Sequence, residues 1–449
     1  MLIAVFPVIL ILCAAPVMGQ LLMSDMLMAN DYLDRMRERP VNPPEEWFEP
    51  KLTITSMREK DGLCDPSVAQ FAGYFDAGPG KSYFFWFFES RTDPKNDPTV
   101  MWLTGGPGCS SQLALLGENG PCTVNKDGTD TIPNEQGRSC HYIPAISHKI
   151  FIENQKANTL TIKLEGVAIG NGMTDPEEQY KWYPDMAYNS TTAPSRVSEK
   201  EYEDMKAAVP GCVQAIQKCN KGGGFPCSLA FMQCNRALFG PYQSKGLNPY
   251  DMRQKCEHPP LCYDFSNVDK FLNTKSVQEQ LGVNTKWQEC NTIVNLMFNW
   301  DFMHNFHSLL VDQIEGGLRV LIYAGDVDYI CNWIGNKHWA LELEWKGQEK
   351  FKNEEDKEYK DPSGTGVGKL RSVSLDNGGQ FTFLQVYQAG HMVPMDQPAV
   401  ALTMLNEFID NEFPTSTLER PKKVEFANMM AYEEYDLFDN APIEIDIVL

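Results

Sequence analysis

The chain has 449 residues, with 39 lysines and arginines against 60 aspartates and glutamates, a formal charge of −21. That balance argues against a general affinity for nucleic-acid backbones or anionic membranes. Aromatic residues make up 11% and charged residues 22%, ordinary globular usage that gives no reason to expect extensive disorder, and the length allows two domains or one domain carrying an insertion.

Residues 1–19 form an apolar run from Leu2 to Ala15 and end in Val17-Met18-Gly19, small enough for cleavage. They predict a signal peptide, because a membrane span needs roughly 20 residues. No later segment is long and apolar enough to span. Residues 20–60 are polar and Pro-rich, with Pro43-Pro44-Glu45-Glu46, and predict a leader or propeptide-like segment without a core.

From 61 to 194 the pattern turns strand-like, at 70–75, at 82–88 and at 99–103 before a Gly-rich turn, then again at 164–169. Residues 195–262 break the rhythm with helix-like, cysteine-rich sequence, predicting an insertion that caps a sheet. Residues 263–415 return to alternation, with strands at 319–324 and 381–386 and helices over 268–281, 300–314 and 399–408. Strands alternating with helices predict an α/β sheet. Residues 416–449 read as an acidic, solvated tail, with Glu433-Glu434-Tyr435-Asp436.

Of the 13 cysteines, Cys13 leaves with the signal peptide, and passage through an oxidising compartment makes pairing of the others the default. The sequon Asn189-Ser190-Thr191 fits the same route. Cys212, Cys219, Cys227 and Cys234 crowd around Gly222-Gly223-Gly224 and predict a stapled hairpin, nested or sequential; zinc is the weaker alternative in a secreted chain. Cys256 and Cys262 bracket a turn-rich loop short enough to bridge. Spacing alone does not pair Cys109 or Cys290.

Three turns carry side chains suited to chemistry. Trp102-Leu103-Thr104-Gly105-Gly106-Pro107-Gly108-Cys109 leaves a strand into glycines that let backbone N–H groups approach a ligand, as an oxyanion hole requires. Tyr323-Ala324-Gly325-Asp326-Val327-Asp328 places carboxylates just past a strand end, and Gln388-Ala389-Gly390-His391 does the same for an imidazole. An acid followed by a histidine in chain order matches the order of hydrolase triads.

Together with GENGP, HYIPAISHKI and LEGVAIGNGMTDP, the segments FFESRTDPKNDPTVMWLTGGPGCSS, YAGDVDYICNWIGNKHW and QAGHMVPMDQP make residues 65–413 resemble the serine carboxypeptidase family. The resemblance implies an α/β-hydrolase fold: a mostly parallel central sheet with helices on both faces and a disulfide-rich helical cap. It implies a serine exopeptidase that removes C-terminal residues of peptides or proteins through an acyl-enzyme, without a metal or organic cofactor, in a secreted or vacuolar and lysosomal setting. By position, Asp328 resembles the triad acid, His391 the base, and Gly106 an oxyanion donor. Thr104, Gly105 and Glu118 fall where the family holds the substrate carboxylate, with Thr104 replacing the commoner Asn and Glu118 suited to a protonated carboxyl. Cys331 resembles an unpaired thiol beside the site. The resemblance also implies the pairings Cys109–Cys290, Cys212–Cys234, Cys219–Cys227 and Cys256–Cys262. An acyltransferase using the same triad is the alternative chemistry.

The nucleophile segment departs from the family's G-E-S-Y-[AG]-G-H-Y run. This chain has Asn134-Glu135-Gln136-Gly137-Arg138-Ser139-Cys140-His141-Tyr142. Aligned backwards from His141, Gly137 falls at the nucleophile; aligned forwards from Gly137, Ser139 does, with Arg138 in place of Glu and a glycine of the elbow lost. Only 28 residues separate Gly108 from Gly137, whereas an intervening strand, a crossover helix and the nucleophile strand need at least roughly 30 plus loops. Interior strands before the nucleophile are therefore expected to be absent, leaving a void and unpaired backbone groups. Three readings follow: coding sequence skipped in the stated chain, a pseudoenzyme that binds without cleaving, or an enzyme using Ser139.

Overall fold

A computed structural model describes residues 52–58, 62–76, 82–134, 143–156, 161–259, 261–298, 301–413 and 446–448. The expected signal peptide, most of the expected leader and tail, and Ser139 lie outside the described residues.

Strand β1 (Leu52–Arg58) pairs antiparallel with β2 (Gln70–Asp76), which pairs with β3 (Ser82–Phe88) in a three-stranded sheet. A leader extending to residue 60 is thus corrected at its end: Leu52–Arg58 alternates enough apolar residues to ladder onto β2. Strand β4 (Thr99–Val100) is shorter than the expected 99–103, because residues 101–105 leave the ladder to form the Gly-rich turn. A hairpin of β5 (Cys122–Val124) and β6 (Thr131–Pro133) follows. The main sheet is completed by β7 (Lys163–Gly170), β8 (Arg319–Gly325), β9 (Lys357–Lys360), β10 (Gly366–Ser374), β11 (Gln380–Val386) and β12 (Asp446–Val448).

The order is β4-β12-β7-β8-β11-β10-β9, parallel from β4 to β11 and antiparallel at β10 and β9. Every residue of β8 and β11 is buried, as a parallel strand covered on both faces requires. Their side chains alternate between two cores: Val320, Ile322, Phe381 and Phe383 pack in one, Leu321, Tyr323, Leu384 and Val386 in the other.

Among the described residues, none between Val100 and Lys163 joins the main sheet, as the short interval predicts. The unpaired backbone groups expected there are partly paired. Residues 446–448, expected in a solvated tail, form β12 between β4 and β7, with Ile447 level with Thr99 and Leu164. Two parallel strands with free edges accept a backbone laddered between them. The helix expected over 300–314 is reduced to the turn His307–Leu310 and the helix Val311–Glu315, while the one expected over 268–281 divides into Ser266–Leu272 and Lys275–Leu281.

The insertion is built on the helix Glu199–Gly222, opened by Ser198 in a capping box with Glu201, and the helix Phe225–Cys234. Cys212 and Cys219 stand two turns apart on one buried face, as do Cys227 and Cys234. Antiparallel packing then gives nested bridges, Cys212–Cys234 and Cys219–Cys227. Cys109–Cys290, Cys256–Cys262 and Cys64–Cys122 are also bonded, the last a pairing that spacing did not suggest. The insertion packs over the sheet through Tyr180, Tyr183, Tyr242 and Tyr329.

Candidate active site

Asp328 lies three residues beyond β8 and His391 five beyond β11, so two adjacent parallel strands deliver an acid and an imidazole to the same edge of the sheet. The two loops touch because a glycine stands between them. A Cβ on Gly325 would lie 2.1 Å from the Gly390 carbonyl oxygen, so any other residue would force the loops apart. His391 Nδ1 meets Asp328 Oδ2 at 2.8 Å.

Asp328 is fully buried, and its charge is met by several donors. Asn171 Nδ2 donates to Oδ2 at 2.8 Å, and the Cys331 N–H donates to Oδ1 at 3.3 Å. Burial opposes protonation of His391, but the Asp328 carboxylate outweighs it and holds the imidazole pKa well above its ordinary value. Because Nδ1 faces Asp328, the neutral ring carries its basic lone pair on Nε2. The His391 N–H donates to the Tyr250 carbonyl at 2.7 Å, and the Gly390 N–H to Asp396 Oδ2 at 2.6 Å, which fixes the loop. Cys331 is unpaired and buried; burial pushes its thiol pKa up, and His391 beside it opposes that rise. The ligand-type atoms of Asp328, Cys331 and His391 lie within 4.8 Å of one another, but Asp328 is already occupied by its donors.

His391 opens onto a cleft of about 750 Å³, counting its mouth, bounded by the turn 104–106, Glu118, Tyr250, Tyr263 and Glu289. The Thr104 hydroxyl oxygen accepts from Trp102 Nε1 at 3.0 Å, and the Thr104 N–H donates to Ser111 Oγ at 3.1 Å. Gly105 is buried and Gly106 exposed, with φ 131, a backbone conformation that L side chains rarely adopt. Burial pushes the Glu118 carboxyl up to about 7, with His391 opposing and Asp396 assisting. Among the described residues, no serine lines the cleft. Asn189 is exposed at the end of the helix Tyr183–Tyr188, far in sequence from these loops.

Asn171 was missed by sequence reasoning. It follows β7 directly in a left-handed conformation, φ 47, which asparagine adopts more readily than most residues, and its place between Gly170 and Gly172 just past a strand was the available signal.

A model of the serine carboxypeptidase family matches residues 62–138 and 139–411. The chain belongs to the serine carboxypeptidase family. It is 36% identical to carboxypeptidase Y homolog A of Phaeosphaeria nodorum, over 82% of this chain and 79% of the relative, and 34% identical to carboxypeptidase Y of Candida albicans, over 81% and 77%. Its fold is similar to the crystal structure of a prohormone-processing carboxypeptidase, Kex1Δp, from Saccharomyces cerevisiae, at TM-score 0.64 and 22% identity over 78% of this chain and 93% of that one.

Membership makes the chain a serine-type carboxypeptidase by family, a hydrolase acting on the C-termini of peptides. Two features of the comparisons bear on the nucleophile. The family match falls in two pieces that abut between Arg138 and Ser139. The match to the Phaeosphaeria relative runs over 441 residues while taking in 82% of a 449-residue chain, so that serine carboxypeptidase carries residues inside the matched region that this one lacks.

Proposed function

We propose that the cleft receives the C-terminal residue of a peptide, with Glu118, Gly105 and Thr104 holding its carboxylate and the Gly106 N–H facing the scissile carbonyl oxygen. The observation that carries this reading is the Asp328–His391 hydrogen bond at the mouth of a cleft that also holds the half-buried Glu118, whose carboxyl is pushed up to about 7. A protonated Glu118 donates to a carboxylate that an ionised one would repel. In hydrolysis, His391 Nε2 takes the proton of a serine as its oxygen attacks the carbonyl, and returns it to the departing amine. Asp328 keeps the ring in the required tautomer and stabilises its charged form. Ser139 is the candidate nucleophile. The enzyme enters the secretory route through residues 1–19 and accepts a glycan at Asn189.

A second reading, binding without turnover, is favoured by one observation: the family match breaks next to Ser139. The two are separated by labelling the whole chain with a fluorophosphonate and mapping the adduct by mass spectrometry. An adduct on Ser139 that disappears in His391→Ala supports the hydrolase. No adduct, together with retained binding of a peptide that has a free C-terminus, supports the binding protein.

A further inference from the structure

Glu289 is a carboxylate on the cleft wall that the proposed reaction does not use. Its backbone is fixed: the Ser110 N–H donates to its carbonyl at 2.9 Å, and the neighbouring Cys290 is bonded to Cys109 at the end of the Gly-rich turn. Glu289 therefore faces the same space as Gly105 and Glu118. Burial raises its carboxyl above the ordinary range, and its charged neighbours Asp269 and Asp264 push in the same direction. Among the described residues, no lysine, arginine or histidine forms an ion pair with it.

The wall around it is largely apolar, including Leu113, Tyr250, Tyr263 and Phe265. A carboxylate in such surroundings has given up part of its hydration without gaining a counter-charge. A cationic ligand head would meet it with a charge-assisted hydrogen bond, while the ligand's methylene stem lay along the rings. The tyrosine faces would add a weaker attraction for the same cation. An apolar side chain fills the space and leaves the carboxylate unmet. An acidic one adds like charge to a cleft already holding two carboxyls.

We propose that Glu289 makes the cleft select peptides whose C-terminal residue is lysine or arginine. This inference rests on the reading of Glu118, Gly105 and Thr104 as the carboxylate site, which places that residue's side chain in the cleft.

The test measures binding, so it does not depend on turnover. N-acetylated tripeptides ending in Lys, Arg, Leu or Glu, and the Lys peptide with an amidated C-terminus, are titrated calorimetrically into the full chain and into Glu289→Gln and Glu289→Lys. The expected result is that Lys and Arg peptides bind about tenfold tighter than Leu, as one charge-assisted contact supplies. Glu289→Gln brings Lys and Leu to within about twofold, and Glu289→Lys turns the preference towards a peptide ending in Glu. Equal binding of Lys and Leu by the unaltered chain, or a Lys preference that survives in Glu289→Gln, overturns the role of Glu289 and leaves the carboxylate site standing. An amidated peptide that binds as well as the free acid removes the carboxylate site, and the inference with it. Binding of no peptide does the same.

Discussion

Asn171 donates its side-chain amide to the same Asp328 oxygen that accepts from His391, each at 2.8 Å. The acid is thus held between an imidazole and an amide contributed by two different strands. Asn171→Ala removes one of the donors meeting a fully buried carboxylate and is expected to lower stability by about 1–3 kcal/mol, read as a shift in the urea midpoint at constant slope. Asn171→Asp is expected to cost more, because it sets a second carboxylate against the first. Its folded pKa would be raised by that contact, so the added cost is absent below the ordinary carboxylate pKa and complete at neutral pH. A variant equally stable at pH 4 and pH 7 would contradict this arrangement.

His391 should titrate well above the ordinary histidine range. The cause is specific: burial alone lowers the imidazole pKa, and the Asp328 carboxylate reverses that effect. With the folded pKa raised, protonated His391 contributes stability that is complete below about pH 6.5 and is lost as the pH rises through its elevated midpoint. Asp328→Asn should remove the larger contribution opposing burial, leave only Cys331 beside the ring to oppose it, and move the midpoint down. Proton NMR of the ring Cε1–H reads this directly, with His391→Gln identifying the resonance among the seven histidines. An unchanged midpoint in Asp328→Asn would show that the carboxylate is not the cause.

The strands most legible in the sequence are those buried on both faces. Val320–Ala324 is a continuous apolar run, and Phe381–Val386 is one broken only by Thr382 and Gln385; both stand in the central sheet as expected. Asp328 and His391 were legible for the same reason, since each follows such a strand by a few residues. Other features depend on tertiary context. Leu52–Arg58 becomes a strand only because β2 offers an edge, and Asp446–Val448 only because β4 and β7 leave a slot. Asn171 owes its role to a backbone conformation, and Cys64–Cys122 joins residues 58 apart, a separation that carries no local signal. Glu289 reaches the cleft through the Cys109–Cys290 bond between distant loops.

Peptide binding should weaken as the pH rises through about 7. Burial holds Glu118 protonated up to that point, and only the protonated form can donate to a substrate carboxylate. Above it, two carboxylates would share the site. Glu118→Gln keeps a donor and has no proton to lose, so its affinity should be flat where that of the unaltered chain falls. Calorimetric titration of a free-acid peptide between pH 5 and pH 8.5 tests the point. A fall of the same size in Glu118→Gln would assign the titration to another group.

Strand β12 is expected to stabilise a sheet that is otherwise open. Asp446 and Ile447 lie level with Lys163 and Leu164, Val448 lies level with Gly166, and on the other side Ile447 and Val448 lie level with Thr99 and Val100. Without these residues, β4, only two residues long, has no neighbour in the main sheet, and β7 presents a free edge. Each exposed backbone group then exchanges a ladder bond for water or remains unpaired. Removal of residues 446–449 should lower the Tm and speed deuterium exchange at Val100 and at 164–166 while leaving β8 and β11 protected. Adding a peptide of sequence IEIDIVL should restore both, because the slot is set by the flanking strands and not by covalent linkage. If exchange at 164–166 is as slow in the shortened chain as in the whole one, β7 draws its protection from β8 alone and the slot contributes nothing to stability.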